Sequence, residues 1–266
     1  MSVVGVDGCR AGWFWICLTR TDGWKADIAP AFRHIWERWA EAESIFVDIP
    51  IGLPDSGGKE RLCDRQARKV LGIPRSSSVF PVPCRASLSA TSYAEACRIN
   101  EYQTGRRLSQ QTWNITGKIR EVDQVLRSCP LSKGVVREVH PEVLFWALNG
   151  GASMKHSKRT KAGFRERLRL LERCYPGSQD IVTVVLNTYP RWAVGKDDIL
   201  DALAAAVTGK LGRGSFQSLP EDPERDSTQL PMEIVYYWCQ SGSVRFQGRA
   251  PELLDESKSR RKAQWH

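Results

Sequence analysis

Two acid-bearing segments far apart in the chain carry the residue types most suited to chemistry. One is VVGVDGCRAGW, in which Asp7 follows a short apolar run beside glycines; the other is DDILDALAAAV, in which Asp198 and Asp201 open an alanine-rich stretch. An apolar strand ending in an acid, with more acids on a distant helix, is how a chain gathers hard oxygen ligands for Mg²⁺ or Mn²⁺. Residues three apart on a helix share a face, so Asp198 and Asp201 point at one centre. Asp197 falls on a different side and reads as a cap or a supporting acid.

The elements that must position these acids follow from apolar periodicity and turn residues. Residues 3–6 and 13–18 read as strands of a hairpin turning over residues 8–12, with Asp7 at its inner end and a third strand starting near Trp24. Ile35, Trp36 and Trp39 lie at helical spacing, and the run Ile45-Phe46-Val47-Asp48-Ile49 is a short buried strand stopped by Pro50. Helices are expected over residues 59–71, 92–111 and 115–127, with a loop at 74–83, as an insertion covering a site. Residues 135–139 return to strand and 141–148 to helix. Residues 159–174 form a basic amphipathic helix, 181–186 a β-prone run, and 197–211 a helix. Residues 215–231 read as a polar surface connection and 232–238 as a last strand.

Composition bounds the class. With 266 residues, 41% of them apolar, and ten tryptophans, the chain can bury a sizeable core. No stretch of eighteen uncharged apolar residues occurs, and the start MSVVGVDGCRAG has no basic region followed by a long apolar segment. A cytoplasmic protein with no membrane span is therefore expected. The eight cysteines contain no CxxC pair and no nearby histidine pattern, which argues against zinc and against a disulfide scaffold. A net charge of +9, concentrated in residues 155–161, 165–169 and 258–262, suits a polyanionic partner such as nucleic acid; a solvated basic helix and tail explain it equally.

GVDGCRAGW, VDIPIGLP, CDRQARKVLG…SSSVFPVP, REVHPEV and DDILDALAAA, in this order, resemble the domain of unknown function 429 family, usually described as predicted nucleases with a ribonuclease-H fold. The likeness runs from Val3 to about Tyr237. It implies an α/β fold: a ribonuclease-H-like mixed central sheet flanked by helices over residues 1–247, with a helical insertion at about 55–130; the composition of residues 248–266 favours a basic, disordered tail. In that superfamily an acid on the first strand maps to Asp7, one at the fourth strand to Asp48, and acids opening the last helix to Asp198 and Asp201. Holliday-junction resolvases likewise carry an acid just before an Ala-Leu-Ala run, as at Asp201-Ala202-Leu203-Ala204.

Four carboxylates at one point would repel and raise one another's pKa values unless divalent cations lay among them. Two such ions about 3.5–4 Å apart would clamp a phosphate and generate an attacking hydroxide. Each acid also has a local explanation: Asp7 as a turn former, Asp48 as a strand end, Asp197 and Asp198 as helix caps.

Glu138, ending an apolar strand, is preferred over Glu142 as an outer ligand, since Glu142 complements a helix dipole in its first turn. His140 is a proton-transfer candidate or a structural histidine. Arg10, Arg65, Arg68, Arg75 and Arg85 form a candidate phosphate-binding rim. The function expected is metal-dependent phosphodiester hydrolysis in DNA or RNA, using Asp7, Asp48, Asp198, Asp201 and Glu138 with Mg²⁺ or Mn²⁺. The alternatives are a small-molecule phosphotransfer enzyme with an actin- or sugar-kinase-like core, and a non-catalytic nucleic-acid-binding or scaffold protein. No GxGxxG or GxxxxGK[ST] is present to bind a nucleotide by those routes.

Overall fold

The computed structural model describes residues 2–238, residue 22 excepted. β1 (Ser2–Cys9), β2 (Gly12–Thr19) and β3 (Trp24–Ala29) form an antiparallel meander. α1 (Phe32–Trp39) then leads to β4 (Ser44–Val47), which runs parallel to β1. After α2 (Leu62–Arg75), α3 (Tyr93–Thr104) and α4 (Gln110–Ser128), the strand β5 (Val136–Glu138) joins parallel to β4. The resulting order is β3-β2-β1-β4-β5. α5 (Pro141–Leu148), α6 (Lys161–Cys174), α7 (Ser178–Thr188) and α8 (Lys196–Leu211) follow, then the antiparallel pair β6 (Gln217–Leu219) and β7 (Ile234–Tyr236). Among the described residues this is a mixed five-stranded sheet flanked by eight helices, an α/β fold consistent with a ribonuclease-H-like core.

Strand alternation sorts side chains onto two faces, each with its own core. Val4, Val6, Trp13, Trp15, Ile45 and Val47 pack against Phe32 and Ile35 of α1 and against Ile119 and Val122 of α4. Glu121 of α4 ties this layer together, accepting the Trp13 indole N–H and the Phe32 backbone N–H, each at 2.8 Å. On the other face Val3, Phe14, Ile16, Leu18 and Phe46 meet the apolar residues of α5, α7 and α8.

α8 lies directly on the sheet. A β-carbon on Gly5 would stand 2.1 Å from the Ala202 carbonyl oxygen and 2.3 Å from the Ala206 nitrogen, so glycine is what lets strand and helix backbones touch. Alanines 202 and 204–206 keep the helix slim along the same contact, and all four are buried. The alanine-rich composition that marked this helix in the sequence is thus a packing requirement.

Several sequence expectations need correction. The β-prone run 181–186 is part of helix α7: Ile181, Val182 and Val185 fall on one helical face and bury it in the α8-side core, so packing overrides β-branched preference. The helix expected over 92–111 stops at Thr104 because Gly105 takes a left-handed conformation (φ 72°), and α4 restarts at Gln110 under a Ser109 side-chain cap. The helix expected over 59–71 begins at Leu62 and is broken at Gly72 (φ 63°). The hairpin turn narrows from 8–12 to Arg10 and Ala11, since pairing continues to Cys9 and Gly12 and leaves Asp7 inside the strand. The surface connection 215–231 contains β6 and the buried Asp226, whose carboxylate accepts the backbone N–H groups of Leu53, Thr228 and Leu230. The basic tail at 248–266 lies outside the described residues.

Candidate metal centre

The parallel pairing of β1 with β4 aligns Val6 with Val47, so the residues that follow, Asp7 and Asp48, emerge side by side at one end of the sheet. The Asp48 N–H donates to the Val6 carbonyl at 3.1 Å and fixes that alignment. Asp7 pairs with Phe14 and Asp48 lies two residues beyond Phe46, which puts both carboxylates on the α8 face. Asp201, in the second turn of α8, completes the group. One carboxylate oxygen from each of Asp7, Asp48 and Asp201 lies within 4.8 Å of the others.

This cluster is short of partners. Asp201 is 2% exposed and Asp7 8%. Asp7 Oδ1 accepts the Gly8 N–H at 2.7 Å, and Asp201 Oδ2 accepts the Lys158 ammonium at 2.7 Å. Asp201 Oδ1 is buried with no hydrogen-bond partner. Burial first, and then repulsion from Asp48, Asp201 and Asp198, pushes the Asp7 carboxyl well above its usual range. Burial likewise raises Asp48 to about 8, against the pull of Lys158. Asp201 is raised by burial with Lys158 again opposing. A bound cation would relieve both the desolvation and the repulsion, and three convergent carboxylates, one of them with an orphan oxygen, suit a hard ion such as Mg²⁺ or Mn²⁺.

The other candidate acids are placed differently. Asp198 is raised by burial, but its Oδ2 accepts the Gly195 N–H at 2.8 Å, so it closes the N-terminus of α8 beside the cluster. Asp197 stands in the same first turn. Glu138 pairs with Val47 across the parallel strands and therefore points to the face opposite Asp48. Both its oxygens receive Arg61 N–H groups at 2.8 Å, and Oε2 also takes the Ile51 N–H at 2.6 Å. It is not among the converging acids.

The cluster heads a cavity of about 630 Å³, walled by the loop after α2, by α4, by the start of α5 and by residues 157–159. Of the five rim arginines, Arg75 lines this cavity, donating from Nε to the Met154 carbonyl at 3.0 Å. Arg68 is engaged with Glu60 and the Val79 carbonyl. Arg85 is held by Asp123, Asp55 and Asp226, joining the insertion to the 226 turn, so neither forms an open rim. Arg10 and Arg65 are exposed on the hairpin turn and on α2. His140 lines the cavity with Nε2 3.3 Å from the Ser78 carbonyl and Nδ1 unpartnered, and burial lowers its pKa. Glu142 is paired with the buried Arg167 at 2.6 Å, and its Oε2, without a hydrogen bond, faces the Arg75 Nε at 3.9 Å on the same wall.

Two features escaped the sequence reading. Lys158 was one cation in the basic run 155–161, and Arg167 one in 165–169; both turn inward to acids, so the basic surface is smaller than the composition suggests. Arg61, three residues before Asp64, carries a helix-type pairing signal, yet nothing local announces its second partner 77 residues away.

A family model described as "Protein of unknown function (DUF429)" matches residues 5–225 of the chain. No curated protein and no solved structure matches it.

Proposed function

The chain belongs to this family, whose description assigns no activity, and from the site itself we propose that it is a divalent-metal-dependent phosphodiesterase acting on nucleic acid. The observation that carries the reading is the convergence of Asp7, Asp48 and Asp201 with one buried carboxylate oxygen left without a partner. These three residues would hold Mg²⁺ or Mn²⁺, which supplies Lewis-acid polarisation of a phosphoryl oxygen and a more acidic water. Asp198 keeps the N-terminus of α8 closed so that Asp201 faces the strands. Arg75 and Lys118 on the walls, with Arg159 at the exposed edge, orient the anionic backbone. The seven described cysteines are all free thiols, which supports the cytoplasmic placement. No helix among the described residues is long and apolar enough to cross a membrane.

One observation favours a second reading. A walled cavity of about 630 Å³ matches the size of a small-ligand site, which suits a small phosphorylated substrate. The experiment that tests both is incubation of the metal-stripped protein with Mn²⁺ and single-stranded, duplex and branched DNA and RNA, alongside nucleotides and sugar phosphates. Mn²⁺-dependent cleavage of a polymer, abolished in Asp7→Asn and Asp201→Asn, supports the nuclease. Turnover of the small compounds alone moves the assignment to the second reading, and salt-sensitive polymer binding without cleavage moves it to a scaffold.

A further inference from the structure

The cation already in the acid cluster is held there by design of the backbone around it. Lys158 follows a segment pinned by α6: the Glu166 carboxylate accepts the N–H groups of Lys155 and His156 at 2.8 and 2.9 Å. Arg167 donates to the His156 carbonyl at 3.0 Å, and the Ser157 carbonyl accepts both the Thr160 N–H and its hydroxyl. A β-carbon on Gly163 would stand 2.0 Å from that same Ser157 oxygen, so helix and segment are in backbone contact. A surface lysine met by chance has no such fixture. This one places its ammonium 2.7 Å from Asp201 Oδ2, within the field of Asp7 and Asp48, while 38% of its side chain remains open to the cavity.

We propose that Lys158 is a positioning residue whose ammonium permanently holds the place of a second cation, so that the site takes a single divalent ion. The argument is charge balance: one divalent ion and one ammonium match the three converging carboxylates of Asp7, Asp48 and Asp201, while Asp198 beside them is engaged by the Gly195 N–H; with the ammonium removed, the four carboxylates together match two divalent ions. A second divalent ion would leave an excess of positive charge beside a fixed lysine in a poorly solvated site, where unbalanced charge is most costly. Asp201 divides its two oxygens accordingly, Oδ2 to Lys158 and Oδ1 to nothing in the protein.

This inference rests on the metal-binding reading above and is tested without an activity assay, by counting Mn²⁺ bound to the full chain in equilibrium dialysis with electron paramagnetic resonance. The expected result is one Mn²⁺ per wild-type chain, still one in Lys158→Arg, and two in Lys158→Met, with the pair detected by its spin coupling. Lys158→Gln serves if Lys158→Met does not fold. Two ions on the wild type, or a count that stays at one when the charge is removed, overturns the proposal while leaving a metal site in place. No Mn²⁺ on the wild type overturns the metal reading itself, and this inference with it.

Discussion

Two groups of buried charge lie side by side at one end of the sheet and line the same cavity, yet they are built on opposite principles. In the first, Arg61 donates to Asp64 and Glu138 and to the Ile51 carbonyl, while the Ile51 N–H closes the ring onto Glu138. In the second, Asp7, Asp48 and Asp201 converge on one ammonium and leave a buried oxygen unmatched. Burial alone therefore does not mark a functional site. A closed network locks the loop after β4 to β5, whereas an open one is stable only with something added.

The largest effect should come from breaking the closed group. Arg61→Met strands Glu138 and Asp64 without a counter-charge, and should cost roughly 3–5 kcal/mol in urea unfolding. Asp7→Asn in the open group should leave the metal-free protein as stable as the parent or more so, and should erase the rise in melting temperature that Mn²⁺ gives the wild type. Equal losses from the two substitutions would remove the distinction between the groups.

Next in size is the contact that assembles the open group. Gly5→Ala forces α8 off β1, because both obstructing atoms are backbone. A loss of about 2–3 kcal/mol is expected, accompanied by weaker Mn²⁺ binding as Asp201 moves from Asp7. Unchanged Mn²⁺ affinity in a folded Gly5→Ala protein would mean that Asp201 is not a ligand.

The sequence made Asp7, Asp48 and Asp201 legible because each ends or opens an element whose type is clear from local periodicity. It also made the mixed α/β sheet legible, through the family resemblance. What stayed hidden depends on contacts between distant residues. Glu138 looked like a ligand because it ends a strand, but the face it occupies is set by register with Val47. Lys158 and Arg167 looked like surface charge because a basic run reads alike whether its members point out or in. The α7 segment read as strand because Ile, Val and Thr favour one; its packing on the α8-side core decided otherwise.

A smaller effect separates the groups by pH. Asp48 is raised from 3.8 to about 8 in the fold, so between those values the folded state holds a proton that the unfolded chain has released. Its contribution to stability is complete below the lower value and is lost as pH rises through the higher one. Metal-free protein should accordingly lose stability between about pH 5 and pH 8. Glu138, raised by burial to about 7, slopes the same way, so the diagnostic quantity is the part of the slope that Asp48→Asn removes. Saturating Mn²⁺ should reverse the trend, because the ion competes with the proton for the same oxygens. Identical slopes for parent and Asp48→Asn would show that Asp48 is ionised throughout.

The smallest expected effect concerns the acid that stands between the two behaviours. Asp198 is close enough to the cluster to raise Asp7, yet its carboxylate is engaged by the Gly195 N–H at 2.8 Å. If that cap is its role, Asp198→Ala should cost about 1 kcal/mol of stability, and Asp198→Asn less, since an amide oxygen still accepts the bond. Mn²⁺ affinity should fall far less in Asp198→Asn than in Asp201→Asn when both are titrated calorimetrically. A loss of affinity in Asp198→Asn matching that of Asp201→Asn, with stability unchanged, would instead make Asp198 a fourth ligand that turns away from its cap when the ion binds.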